Sequence, residues 1–218
     1  METESSLRER LIDVGVDLVI TEGSASLGLR EIARRAGVSH GAPRRYFPTH
    51  HALLSAIARR GFADLGARFR AAISDTASAR AQLQALARTY VAYALDHRGM
   101  FELMFRHDLL DSEKHASDQS RLRESTLPLF ELIVGLVARH RTERGATHRP
   151  GATAGAEPPP AVAAAALWSN LHGIAQLWAW DSLQLVLGAP KPEGAHVSAQ
   201  VDQLVTAALD AHLGPVTA

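Results

Sequence analysis

Residues 29–54, LREIARRAGVSHGAPRRYFPTHHALL, hold two short helical patterns joined by a turn that few residue types can make, and they constrain the fold more than any other stretch. Leu29, Ile32, Ala33 and Ala36 recur at helical spacing and give the first segment one apolar face. Gly37 follows, the residue that best tolerates the left-handed backbone on which a helix stops. Val38 is an apolar plug at the turn, and Ser39 is expected to cap a second helix by accepting from the backbone N–H of Gly41 or Ala42. The pattern predicts a helix-turn-helix whose second helix, from about His40 to Tyr46, lies in a DNA major groove.

The charges are distributed to match. Between Gly28 and Arg60 stand Arg30, Arg34, Arg35, Arg44, Arg45, Arg59 and Arg60 against the single acid Glu31, although the whole chain balances 23 basic with 23 acidic residues. Residues 150–218 offer only Lys191 against Glu157, Asp181, Glu193, Asp202 and Asp210. A solvated helix face explains most arginine clusters; beside this turn chemistry, an electrostatic footprint for nucleic acid is the better reading.

Ile32, Ala33, Ala36, Gly37, Val38, Ser39, Gly41, Tyr46, Phe47, Leu53 and Leu54 stand in an order that resembles the N-terminal DNA-binding domain of the TetR family of bacterial transcriptional regulators. The resemblance covers about the first quarter of the chain. It implies a dimeric, ligand-responsive regulator, most often a repressor, bound to a palindromic double-stranded DNA operator and released by a small apolar or amphipathic effector. Many relatives carry Leu-Tyr where this chain has Pro43-Arg44. Pro43 falls in the first helical turn, where few N–H bonds are lost. Arg44 takes the place of a tyrosine that commonly touches phosphate in the family, yet its two-pronged head can also reach guanine. Arg45 and His40 are expected at base edges and Ser39, Arg44, Tyr46 and His50 at the backbone, with Arg30 and Gly41 completing the DNA-facing set. Which arginine reads bases stays open, and Phe47 reads as core. His50 stands where many relatives place a lysine, so its phosphate contact is expected to be weaker.

The remaining chain reads as nearly all helix, giving an all-α fold. A first helix is predicted from about Ser6 to Thr21, and Thr49 caps a long helix carrying Leu53, Leu54, Ile57, Phe62, Leu65, Phe69 and Ile73. Further helices are expected over Ala79–His97, over Met100–Leu110 with a Glu102–Arg106 surface pair, and over Asp118–Arg139 with a kink at Pro128. Residues 145–160 have the composition of a flexible loop. One apolar helix is predicted over Ala161–Leu187, and a last one is patterned by Val197, Val201, Leu204, Val205, Ala208 and Leu209. These two C-terminal helices suggest a homodimer interface. Residues 1–50 are expected to form the DNA-binding domain and 51–218 the effector-binding and dimerisation domain. Trp168, His172 and Gly173 are similar to a tryptophan–histidine–glycine signature of one TetR C-terminal subfamily.

Candidate cavity residues are Phe101, Met104, Phe105, His107, Phe130, Trp168 and His172. Eleven histidines invite a metal reading, but none forms a zinc pattern such as HExxH, and cysteine is absent, so neither metal nor cofactor is expected. For His107 and His172 the simplest role is that of a hydrogen-bonded core histidine. No phosphate loop, nucleophile elbow or paired-carboxylate motif supports an enzyme. The N-terminus lacks a secretory layout and no run spans a membrane, so a cytoplasmic protein is expected. The atypical Pro43-Arg44 and His50 leave a second reading, a helical dimeric interaction protein with vestigial DNA binding, which salt dependence distinguishes.

Overall fold

The computed structural model describes residues 2–74, 76–106, 116–147, 157–188 and 199–215. Among the described residues there are ten α-helices, one short 3-10 turn and no strand. The helices cluster into two compact units, Met1–Leu65 with His97–Leu127 and Gly66–Asp96 with Pro128–Ala218.

In the first unit, α1 (Glu2–Glu22) packs against α2 (Leu29–Arg35), α3 (Ala42–Tyr46) and α6 (Arg98–Phe105). Leu11, Leu18 and Val19 of α1, Ile32 and Ala33 of α2, and Leu53 and Ile57 at the start of α4 (His50–Ala72) are fully buried. Each such leucine or isoleucine contributes about 1.5–3 kcal/mol when taken from water. Gly15 is what lets α1 lie so close to α4, since a Cβ there would stand 2.4 Å from Ile57 Cδ1. Gly99 does the same for α6: its Cβ would meet the Val19 carbonyl oxygen at 2.4 Å.

In the second unit, α8 (Pro160–Ala179) packs against α5 (Ala79–Asp96), α9 (Ser182–Leu187) and α10 (Ala199–Leu213). Leu83, Leu86 and Val91 of α5 meet Leu167, Leu171 and Trp178 of α8 and Val201, Val205 and Leu209 of α10 in one apolar interior. An ion pair from Arg80 to Asp210 ties α5 to α10. Helix α7 (Ala116–Thr147) carries Pro128 inside it.

Several boundaries differ from the sequence expectation. The helix expected over 161–187 is broken: Asp181 takes a left-handed φ of 57°, and Gly188 at φ 61° ends the short α9. Aspartate is among the few non-glycine residues that visit this conformation. Across the break the Trp178 carbonyl accepts both the Asp181 N–H at 3.0 Å and the Gln184 Nε2–H at 2.9 Å. Helix α7 runs to Thr147, into the expected loop of residues 145–160, and Glu157 beyond it receives Arg141 at 3.0 Å and Arg144 at 2.8 Å. Glu102 pairs with Arg98 at 3.2 Å rather than with Arg106, because α6 stops at Phe105 and leaves Arg106 past the last turn. No helix among the described residues is long and apolar enough to cross a membrane.

Candidate nucleic-acid interface

The turn after α2 closes as its residues dictate. Gly37 adopts φ 68°, its N–H reaches the Arg34 carbonyl at 3.2 Å, and the Val38 N–H reaches the Ala33 carbonyl at 3.0 Å. This is the six-to-one, five-to-two pattern of a left-handed helix stop. The second helix starts later than expected. Gly41 is its N-cap with no side-chain cap, and the Ser39 backbone carbonyl, not its hydroxyl, accepts from Ala42 N–H at 3.0 Å. The expected Ser39 side-chain cap is therefore absent, and α3 covers Ala42–Tyr46 instead of starting at His40. The Ser39 hydroxyl takes no part in that cap.

Ser39, His40 and Gly41 stand exposed in the turn, Arg44 and Arg45 are exposed on α3, Tyr46 is half-buried, and Pro43 and Phe47 face inward. Phe47, 2% exposed, is core as expected, with the Arg8 guanidinium 5.4 Å from its ring centroid. Thr49 caps α4 by accepting from Ala52 N–H at 3.1 Å. His50, in the first turn of α4, donates its Nε2–H to the Leu27 carbonyl at 2.5 Å, so that nitrogen ties α4 to the segment leading into α2.

Six of the seven arginines between Gly28 and Arg60 divide into two sets. Glu31 receives Arg34 on both oxygens, at 2.8 and 2.5 Å, and also Arg35 at 2.7 Å. Arg35 reaches on to Glu22 through its other nitrogen. The Arg34 hydrogen bonds first, then that of Arg35, hold the Glu31 carboxyl down to about 2 from its ordinary 4.5. Arg60 pairs with Glu9 at 2.8 Å and Asp13 at 3.3 Å. Among the described residues, Arg30, Arg44 and Arg45 form no ion pair. These three expose unneutralised guanidinium groups on the helix-turn-helix. Within the segment Glu31 is the lone acid, and α1 brings in Glu22, Glu9 and Asp13 from outside it.

The expected cavity residues fall in different places. Phe101 and Met104 are buried in the first unit, where Phe105 packs edge-on against Phe62 at 5.6 Å and Phe101 at 4.9 Å. Phe130 is half-buried in the second unit, and His107 lies outside the described residues. Trp168 and His172 do come together, through Tyr90 of α5, which the sequence analysis does not name. Trp168 Nε1 donates to the Tyr90 hydroxyl at 3.0 Å, and that hydroxyl lies 2.8 Å from His172 Nδ1. Burial holds the Tyr90 phenol well above its ordinary range and pushes His172 down, toward the neutral imidazole. The relay that pairs these protons runs from Trp168 N–H to Tyr90 O–H to an unprotonated His172 Nδ1. The available signal was a polar-tipped tyrosine on an inward face, since a buried Tyr hydroxyl finds a partner.

Residues 83–211 match the family model described as tetracyclin repressor-like, C-terminal domain, and residues 11–57 match that for bacterial regulatory proteins of the tetR family. Among solved structures, the chain is similar to a protein of unknown function from Rhodococcus sp. RHA1, 32% identical, with a TM-score of 0.68 and 95% of this chain and 93% of that one covered. A tetR-family regulatory protein from Rhodococcus RHA1 is 19% identical over 97% and 98% of the two chains, with a TM-score of 0.63. The transcriptional regulator FadR from Bacillus subtilis, in complex with stearoyl-CoA, shares the fold at 13% identity, with a TM-score of 0.64 over 96% and 99%. No curated protein sequence matches the chain.

Proposed function

We infer that this chain, which belongs to the TetR family of bacterial regulatory proteins, is a ligand-responsive transcriptional regulator that binds a palindromic operator as a homodimer and represses until a small apolar or amphipathic molecule releases it. Residues 1–50 carry the DNA-reading surface, and residues 51–218 carry effector binding and dimerisation through α8 and α10. The observation that carries the reading is the set of three exposed, unpaired guanidinium groups, Arg30, Arg44 and Arg45, on a helix-turn-helix with the geometry described above. Each is placed for phosphate or a guanine edge, and two-fold symmetry would present a pair of such surfaces to two half-sites.

The exposed apolar side chains Val162, Leu177 and Trp180 along and just beyond α8 support a role for that helix in pairing two copies. An amphipathic effector agrees with the stearoyl-CoA held by the Bacillus subtilis structure of the same fold. Such a ligand would lower operator affinity by its differential affinity for the two conformations and by no more.

Selection of bound fragments from genomic DNA, followed by anisotropy titrations at several salt concentrations, tests the proposal. Binding should weaken steeply between about 50 and 200 mM salt. Arg45→Ala should lose discrimination between the selected site and its single-base variants, by about 1–3 kcal/mol at one position. Arg44→Ala should weaken all duplexes alike. Parent-like binding by both variants would place the reading surface elsewhere.

A further inference from the structure

Seven arginines between Gly28 and Arg60 suggest a strongly cationic surface, yet the structure withdraws part of that charge. Glu31 sits at the third position of α2 with Arg34 and Arg35 three and four residues on, so all three share one helix face. Its carboxylate grips Arg34 in a two-pronged pair and takes the Arg35 Nε as well. Glu22, from the end of α1, closes the far side of Arg35. A bidentate guanidinium–carboxylate pair uses the same fork that would otherwise meet a phosphate.

We propose that Glu31, assisted by Glu22, is a specificity-setting residue: it keeps Arg34 and Arg35 from DNA phosphates, so that binding rests on Arg30, Arg44 and Arg45. The proposal rests on the DNA-binding function inferred above. Phosphate contacts add affinity for every sequence, while base contacts separate one sequence from another. Holding two cations back therefore lowers affinity for bulk DNA more than it lowers discrimination. The acid is placed to do this continuously, because its carboxyl stays ionised far below neutral pH.

The full-length protein and a labelled random-sequence duplex of about 20 base pairs provide the test, with binding measured across salt. Each freed arginine that finds a phosphate should steepen the salt slope by about 0.9. Glu31→Gln should release Arg34 and show about a three- to four-fold larger loss between about 50 and 200 mM salt. Glu31→Gln with Glu22→Gln should release both and show a loss larger by about twelve-fold. Arg34→Ala should be nearly silent in the parent but should cancel the gain in the Glu31→Gln background. That coupling separates a clamp from a simple change of net charge, under which Arg34→Ala would weaken the parent as much as Glu31→Gln strengthens it. On the tightest duplex recovered by selection, Glu31→Gln should narrow the ratio of specific to random binding. Parent binding with an unchanged slope in Glu31→Gln, or additive effects of the two substitutions, overturns the clamp alone. If no variant binds any duplex at low salt, both the clamp and the function beneath it fail.

Discussion

Two of the three-residue polar clusters of this protein are built on opposite principles. Glu31, Arg34 and Arg35 are charged, solvent-facing and within four positions of one another along one helix. Tyr90, Trp168 and His172 carry no net charge when His172 is neutral, lie at least partly inside the second unit, and join two helices, with Trp168 and His172 standing 78 and 82 residues beyond Tyr90 in sequence. An exposed ion pair contributes little to stability because water solvates both partners nearly as well when they separate. A buried hydroxyl contributes through the cost of leaving it or its partners unmatched. The difference assigns each cluster a kind of work. On the proposal above the ionic one acts on what the surface binds, whereas the neutral one joins α5 to α8.

The largest effect on folding is expected at the neutral cluster. Tyr90→Phe keeps the ring and its burial but removes the hydroxyl that accepts from Trp168 N–H and stands against His172 Nδ1. Stranding such groups costs about 1–3 kcal/mol, and for a chain of this size that lowers the thermal midpoint by several degrees. Calorimetry on the purified variant measures it. An unmoved midpoint would mean that water replaces the lost hydroxyl on both sides, and the contrast between the clusters would vanish.

A smaller effect separates the clusters by pH. His172 has a folded value depressed below its ordinary 6.5 by burial, so the unfolded chain takes up a proton first as the pH drops. Its contribution is complete above about 6.5 and is lost as pH falls through the lower folded value. Protonation also converts Nδ1 from acceptor to donor, against the Tyr90 hydroxyl. Glu31 has the same sign in another window: its contribution is present above 4.5 and is lost only as pH falls through about 2. Denaturant midpoints of the parent and His172→Gln, followed from pH 7.5 to 5, should converge as the pH drops. Parallel curves would exclude His172 as the source.

The same contrast explains what could be read from the residues alone. The Gly37 stop and the Thr49 cap are local signals, and the structure follows both. An i, i+3 and i, i+4 ionic set is local too, so Glu31 was visible as a partner for Arg34 and Arg35 once the helix was assigned. Glu22, Glu9 and Asp13 were not, because α1 reaches the arginines only after three helices pack. Trp168 and His172 stood out as residue types, whereas Tyr90 becomes their centre only through the α5–α8 contact. The break at Asp181 escaped notice for a related reason. A left-handed aspartate is uncommon, and the side chain that bridges the break, Gln184, turns back on Trp178 only once the turn has formed.

The smallest expected effect on stability is the most exacting for the comparison. Glu31→Gln keeps the shape and length of the side chain and removes its charge, loosening its hold on both arginines at once. If the ionic cluster acts on binding and not on folding, the thermal midpoint should stay with the parent while the salt slope for random duplex steepens. A midpoint that falls with that of Tyr90→Phe would show that the charges also brace α2 against the end of α1 through Glu22. The two readouts must separate for the division to stand: at Glu31 the binding slope moves and the melting point does not. At Tyr90, in the same full-length chain, the melting point should move while the affinity for random duplex, measured well below it, stays with the parent.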